Sequence, residues 1–380
     1  MATDIGDDLV VYVPGIGGPN GTTHLRGFVQ YAICNTYDKD GIDVAFEPRS
    51  FAGYAGLRVT LADADGGKRV ADVVEVDWQS SVNRLSTQSL PRRLLGGFFL
   101  LWRILRPALS IGWEARGFIS TAVVGILLIV AWTYLAVAAA FAALGKLFPG
   151  MPHIPADIFG EHGVVYLAVF LVVSGLALFA GLDADTAADM ADIYDRYLAN
   201  RPVYGGYARL GDELVQQVRD VIKATTKHSD NEPGYRRIVL VGHSFGALPA
   251  LEAAAKCSIP VEVITIGTFF AFVQKLRPER VDTMLTSVRE AGPRIIRWLD
   301  FTSPKDHIAA TTPFHADVEA HRPEHVALAG ANRLDTINLH AHLLYFEEKR
   351  VLDAIFRPRA FDAGQPWQMD ARAPIASGSA

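Results

Sequence analysis

The sequence predicts an α/β fold: a doubly wound, mostly parallel sheet, interrupted by an inserted two-helix transmembrane hairpin. Three observations carry this expectation. Short runs rich in β-branched residues alternate with amphipathic helical stretches, the order that builds a parallel sheet covered on both faces. Two long stretches in the middle of the chain carry no charge. A serine between two glycines follows one apolar run and precedes an alanine-rich helix.

Composition narrows the choice of function. Of the 380 residues, 50% are hydrophobic and only 20% charged, more apolar than an ordinary soluble domain requires. The 36 Lys+Arg against 41 Asp+Glu give a formal net charge of −5 and form no basic run, so the electrostatic footprint of nucleic-acid binding is missing. The two cysteines, Cys34 and Cys257, lack C-x-x-C spacing, which argues against a disulfide scaffold or a zinc ribbon.

Taken in order, the first strand is expected at residues 9–13 and a second at 70–76. The first runs into a glycine-rich loop, residues 14–21. Gly15 and Gly17 would open a dinucleotide fingerprint, but Asn20 stands at the third glycine position and Pro19 intrudes. The N-terminus lacks the basic region and long apolar stretch of a signal peptide, so export by that route is not expected.

Residues 92–183 read as a membrane insertion. Residues 94–113 mix Phe98, Phe99 and Trp102 with Arg103 and Arg106, suiting a helix in the interface. Residues 117–145 are uncharged and reach about 43 Å at 1.5 Å per helical residue; residues 163–182 reach about 30 Å, the thickness of a bilayer core. Arg92, Arg93, Arg103, Arg106 and Arg116 precede the first span, Arg196 and Arg201 follow the second, and the connection carries only Lys146. That asymmetry places both flanks in the cytoplasm, giving a two-span membrane protein with a cytoplasmic globular domain. The remainder, residues 1–91 and 184–360, is expected to form two parts of one α/β domain, and residues 361–380 a disordered tail.

In the second part, Leu210, Leu214, Val218, Val221 and Ile222 share one face of a helix over residues 207–225. Strands are expected at 237–241, 261–266 and 294–299, with a helix at 248–256. Between strand 237–241 and that helix lies Gly242-His243-Ser244-Phe245-Gly246. A sharp turn here strains the serine backbone, needs small neighbours, and pushes the hydroxyl into the open beside the N-H groups of a helix start. Pro249 falls in the first turn, where its missing N-H has no intrahelical partner to lose.

With the strand before it and the helix after, this motif resembles the nucleophile turn of the α/β-hydrolase superfamily, of the lipase/esterase-like kind, and the resemblance covers most of the chain outside the hairpin. It implies a chain order of nucleophile, acid, histidine. Ser244 would be the nucleophile, with Gly242 and Gly246 forming its turn. Loop 14–21 is similar to the family's oxyanion loop, with Pro14 in the histidine position, so Ile16 or Gly17 would donate backbone N-H groups together with Phe245. The acid is expected at Asp306, past Pro304, with Asp300 as the alternative or as a brace of the loop. The base is expected at His342, which forms H-x-x-Y with Tyr345; His340 is the alternative. His315, His321 and His325 read as residues of a surface loop rather than a metal site, because Pro323 interrupts a helical face. His243 reads as a residue packing locally at the turn.

The resemblance thus implies a serine hydrolase, esterase or lipase-like, with a Ser-Asp-His triad. It would cleave a carboxylic ester or other acyl bond through an acyl-enzyme, without metal or organic cofactor. A lipid is among the candidate substrates and the bilayer is the expected partner. The alternatives are a catalytically inactive hydrolase-like membrane scaffold or binding protein, and an acyltransferase on the same fold.

Overall fold

The computed structural model describes residues 7–15, 30–51, 53–62, 67–77, 210–226, 234–268, 270–306, 318–332 and 340–363, with Leu109, Ile119, Val123, Ile126, Val130, Tyr197 and Ala309 as single positions. Its centre is an eight-stranded sheet in the order β2-β3-β4-β1-β5-β6-β7-β8. The strands are β1 Asp8–Val13, β2 Asp43–Phe51, β3 Tyr54–Ala62, β4 Lys68–Glu75, β5 Arg237–His243, β6 Val261–Ile266, β7 Ile295–Thr302 and β8 His321–His325. From β4 to β8 every neighbouring pair is parallel. The β2-β3 and β3-β4 pairs are antiparallel.

β1 is the join between the two halves of the chain. It pairs with β4 on one side and with β5 on the other, so strands separated by the inserted stretch share one sheet. Its side chains alternate between two cores, as strand geometry requires. Leu9, Val11 and Val13 point with Leu240, Val263 and Trp298 into one core, while Val10 and Tyr12 point with Val239, Val241, Ile264 and Phe301 into the other.

Helices cover both faces. Helices α2 Leu210–Thr226, α3 Ala247–Ala255, α4 Phe270–Leu276 and α5 Pro278–Ala291 supply residues to the first core. Helices α1 Gln30–Tyr37, α6 Lys349–Phe356 and α7 Pro358–Ala363, with a 3-10 run His340–Glu347, supply the second. On α2 the buried face holds the five apolar residues expected from the sequence.

Three strands depart from the sequence expectation. β2 and β3 form a hairpin that pairs Phe51 with Tyr54; in β2 only Val44, Phe46, Arg49 and Phe51 are partly covered, and Pro48, Glu47 and Arg49 mark it as an edge strand. β8 is five residues long and carries Pro323. His321 therefore does not lie on a surface loop: it is buried on β8 and stacks on Trp298 with ring centroids 4.1 Å apart. Residues 361–363 of the expected tail belong to helix α7, and the rest of that tail lies outside the described residues. Phe361 on α7 is buried, with the guanidinium carbons of Arg297, Arg322 and Arg350 lying 4.6 to 5.8 Å from its ring centre.

The interfacial segment and the two expected spans lie outside the described residues apart from Leu109, Ile119, Val123, Ile126 and Val130, which are helical. Among the described residues no helix is long and apolar enough to cross a membrane.

Candidate active site

Ser244 stands where β5 ends. The backbone passes from extended His243 (φ −101°, ψ 134°) to Ser244 at φ +54°, then through the 3-10 turn Ser244–Gly246 into α3. A left-handed conformation costs an L-residue about 1–2 kcal/mol, and close neighbours impose it here. Gly246 packs so tightly against the carbonyl oxygens of Val13 and Pro14 that no Cβ fits, and a Cβ on Gly242 would fall 2.5 Å from Ala247 Cα. The loop after β1 passes beside the serine as well: a Cβ on Gly15 would lie 2.7 Å from Ser244 Cβ and 3.3 Å from its Oγ. The half-buried serine lies beside Ala247, Leu248, Thr268 and Phe270 in a shallow surface depression too small to admit a water molecule.

His342 lies in the 3-10 run and is buried. Its Nδ1 is 2.7 Å from Asp306 Oδ2. An ionised carboxylate only accepts, so the Nδ1 proton points at Asp306, and in the neutral ring Nε2 carries the lone pair. That Nε2 is buried and has no hydrogen-bond partner among the described residues.

Two residues hold the imidazole from the strand ends. His243 Nε2-H donates to the carbonyl oxygen of His342 at 3.0 Å, which fixes the tautomer of His243, and the two rings lie 4.9 Å apart. Gly267, just past β6 at φ +61°, backs the ring: a Cβ there would lie 2.9 Å from His342 Cε1. Since His243 pairs with Ile266, Ser244 and Gly267 follow neighbouring strand ends. The serine and the imidazole therefore occupy the same end of the sheet.

Asp306 is held by its own turn. Its N-H donates to Ser303 O at 3.1 Å, and the neighbouring Lys305 ammonium donates to the carbonyl oxygens of Leu328 and Ala331, both at 3.0 Å. Tyr345 is buried beside it. Burial, reinforced by the Asp306 charge, holds the phenol well above its usual pKa and so neutral.

Asp300 is placed differently. It lies within β7 and accepts hydrogen bonds from the hydroxyls of Thr265 at 2.7 Å and Thr268 at 3.2 Å, joining β6 and the edge of that depression to β7. Of the two aspartates, the 2.7 Å bond to His342 comes from Asp306. His340 opens the same 3-10 run as His342. Ile16 and Gly17, the expected amide donors, lie outside the described residues, as do His307 and His315; Phe245 follows Ser244 in the 3-10 turn, its ring fully buried.

Gly267 and Thr268 are not among the site residues expected from the sequence, although a glycine directly after the apolar run 261–266 signals a tight strand exit. His243 does more than pack, because its hydrogen bond fixes the backbone of His342. Among the described residues no cluster of three His, Cys, Asp or Glu groups is placed to hold a metal ion.

A mostly parallel sheet with a serine on a strained strand-to-helix turn at the carboxyl end of a central strand defines the α/β-hydrolase class. Residues 170–376 match the Alpha/beta hydrolase family, and the chain belongs to that family. The match spans Ser244, Asp306 and His342, while β1 to β4 precede it. No curated protein and no solved structure matches the chain.

Proposed function

We propose that the chain is a membrane-anchored serine hydrolase that cleaves a carboxylic ester or related acyl bond through an acyl-enzyme. One observation carries the reading. An imidazole with Asp306 on Nδ1 and a buried, unpartnered Nε2 stands at the same end of the sheet as the strained turn of Ser244. Ser244 Oγ attacks the carbonyl carbon while its proton passes to His342 Nε2, and Asp306 stabilises the imidazolium that forms. The negative charge on the carbonyl oxygen is held by the amide of Phe245 and that of Ile16 or Gly17. As the ester C-O bond breaks, His342 returns the proton to the leaving alkoxide. Water then attacks the acyl-enzyme with His342 again taking a proton, which releases the acid and restores Ser244.

Anchoring is supported by the uncharged stretches 117–145 and 163–182 and by the basic residues that flank them. Ile119, Val123, Ile126 and Val130 are helical and spaced by four, three and four residues, one face of a helix, and Val123 and Val130 are exposed. The side chains beside Ser244 are apolar in Ala247, Leu248 and Phe270, a chemistry compatible with an acyl group. An acyl ester or lipid is the substrate class proposed, met on the cytoplasmic side of the bilayer.

Fluorophosphonate labelling of membrane fractions tests all of this together. The expected result is a labelled 380-residue chain in the membrane pellet and no labelling of Ser244→Ala. Labelling that survives the substitution removes Ser244 from its role. A folded protein that never labels favours the inactive scaffold, and recovery in the soluble fraction removes the anchor. Esters formed with added alcohols would favour acyl transfer.

A further inference from the structure

Among the described residues, Tyr197 is the one position between the inserted stretch and α2. It is fully buried and tied at several points to the unit that carries the serine. Its ring meets the ring of Phe245 edge-on, with centroids 4.9 Å apart. Its hydroxyl donates to Glu252 Oε1 at 3.0 Å, and Glu252 lies on α3, two helical turns beyond Ser244. Arg280 of α5 closes the cluster. It donates to Glu252 Oε2 at 2.9 Å and places its guanidinium carbon 5.0 Å over the Tyr197 ring.

Space for this arrangement is made in α2. A Cβ on Gly211 would fall 2.8 Å from the Arg280 guanidinium and 3.3 Å from the Tyr197 ring. Glu252 sits there at a raised pKa because burial outweighs the charge of Arg280 and the Tyr197 hydrogen bond. A buried carboxyl needs both partners to stay satisfied, so displacing Tyr197 disturbs α3 as well as the ring of Phe245.

Resting on the reading of Ser244 as nucleophile, we propose that Tyr197 is a positioning residue that couples α3 and α5 to the catalytic turn. By fixing the Phe245 ring and α3, it sets the direction of the Ser244-Phe245 peptide, whose N-H faces the developing oxyanion.

The test uses the full chain and compares Tyr197→Leu, which removes ring and hydroxyl, with Tyr197→Phe, which removes only the hydroxyl. The readouts are kcat and KM for a short p-nitrophenyl ester and Ki for a phenylboronic acid, whose tetrahedral adduct occupies the oxyanion position. Tyr197→Leu is expected to lower kcat about ten- to hundredfold, to raise Ki by the same factor and to leave KM within about twofold. Tyr197→Phe should raise Ki about threefold. A role in stability alone lowers the fraction of active protein without moving Ki, so an unchanged Ki in both variants overturns the proposal. If Tyr197→Leu fails to fold, the Ki of Tyr197→Phe decides.

Hydrogen exchange separates this proposal from the reading beneath it. Tyr197→Leu should speed exchange in residues 244–252 relative to β6, and equal exchange overturns the coupling. A wild-type chain that fails to label with fluorophosphonate sinks the nucleophile, while exchange still judges the coupling. A wild type that labels, with Ki and exchange unmoved in the variants, sinks the coupling and leaves the nucleophile standing.

Discussion

Replacing Gly267 with alanine tests whether His342 acts from the position it occupies. The new methyl carbon would lie 2.9 Å from His342 Cε1, 3.1 Å from Nδ1 and 3.2 Å from the Tyr345 ring. Carbon atoms settle at about 3.5–4.0 Å, so the imidazole must retreat by more than about half an ångström. It cannot do so freely, since Nδ1 is held at 2.7 Å by Asp306 and the residue's carbonyl at 3.0 Å by His243. A misplacement of about 1 Å costs about a hundredfold, so one of about half that size in a reacting group is expected to cost about tenfold in kcat/KM, or about 1.4 kcal/mol of transition-state stabilisation. The backbone at φ +61° adds about 1–2 kcal/mol of strain to the folded state. Gly41→Ala isolates that second effect: Gly41 has φ +68° and nothing within 4 Å of an added Cβ. Both variants should lose stability in thermal unfolding, Gly267→Ala the more because its methyl also meets His342 and Tyr345, and only Gly267→Ala should lose ester hydrolysis. Wild-type kcat/KM in folded Gly267→Ala would refute the assignment of His342.

The two aspartates should separate in the same assays. Asp306→Asn is expected to lower kcat about 10⁴-fold with little change in stability, because the amide favours the wrong imidazole tautomer. Asp300→Asn should instead lower stability by about 1–3 kcal/mol, through the bonds from Thr265 and Thr268, and keep kcat within about tenfold; the opposite pattern would transfer the role to Asp300. His342→Ala should abolish fluorophosphonate labelling while His340→Ala retains it, and retention in the first variant with loss in the second reverses the choice of base. Glu262→Gln probes pH dependence. Burial pushes the Glu262 carboxyl up, but hydrogen bonds and charge from Arg237 at 2.8 Å and Arg297 at 2.7 Å overcome this and leave it below its ordinary 4.5. A lowered carboxyl pKa stabilises the fold above the unfolded value, and this is lost as pH falls through the folded one. Thermal unfolding of Glu262→Gln should therefore fall less steeply than wild type between about pH 5 and 3, and an equally steep fall would count against the pair.

The central strands were readable because both their faces are buried. β1, β5 and β6 are short β-branched runs with few interruptions, and their expected positions agree with the structure within two residues. β2 and β8 were not readable, because an edge strand keeps charges and proline that in isolation signal a loop. The same ambiguity hid His321, whose burial follows from Trp298 across the β7-β8 pair rather than from anything in its own neighbourhood. At the candidate site, the serine turn was legible from local spacing, since its strain is imposed by adjacent glycines and a strand exit. The hydrogen bond from His342 to Asp306 spans 36 positions and His243 reaches 99, so neither leaves a local trace. Chain order under the family resemblance supplied the first of these pairings; it offered nothing on the second.

The serine turn also depends on a part of the chain that the family match does not include. The match begins at residue 170, yet Gly246 is compressed against Val13 and Pro14, and Gly15 against Ser244 itself. β1 supplies the surface on which the turn is bent, and it pairs along its length with β5, the strand that delivers the serine. The strained φ of Ser244 persists only where its surroundings over-determine it. Without β1 the turn would lose the contacts that make a Cβ impossible at Gly246, and β4 would lose its link to β5. The serine turn is therefore built on strands from both sides of the stretch that separates β4 from β5 in the chain, and those strands share one sheet.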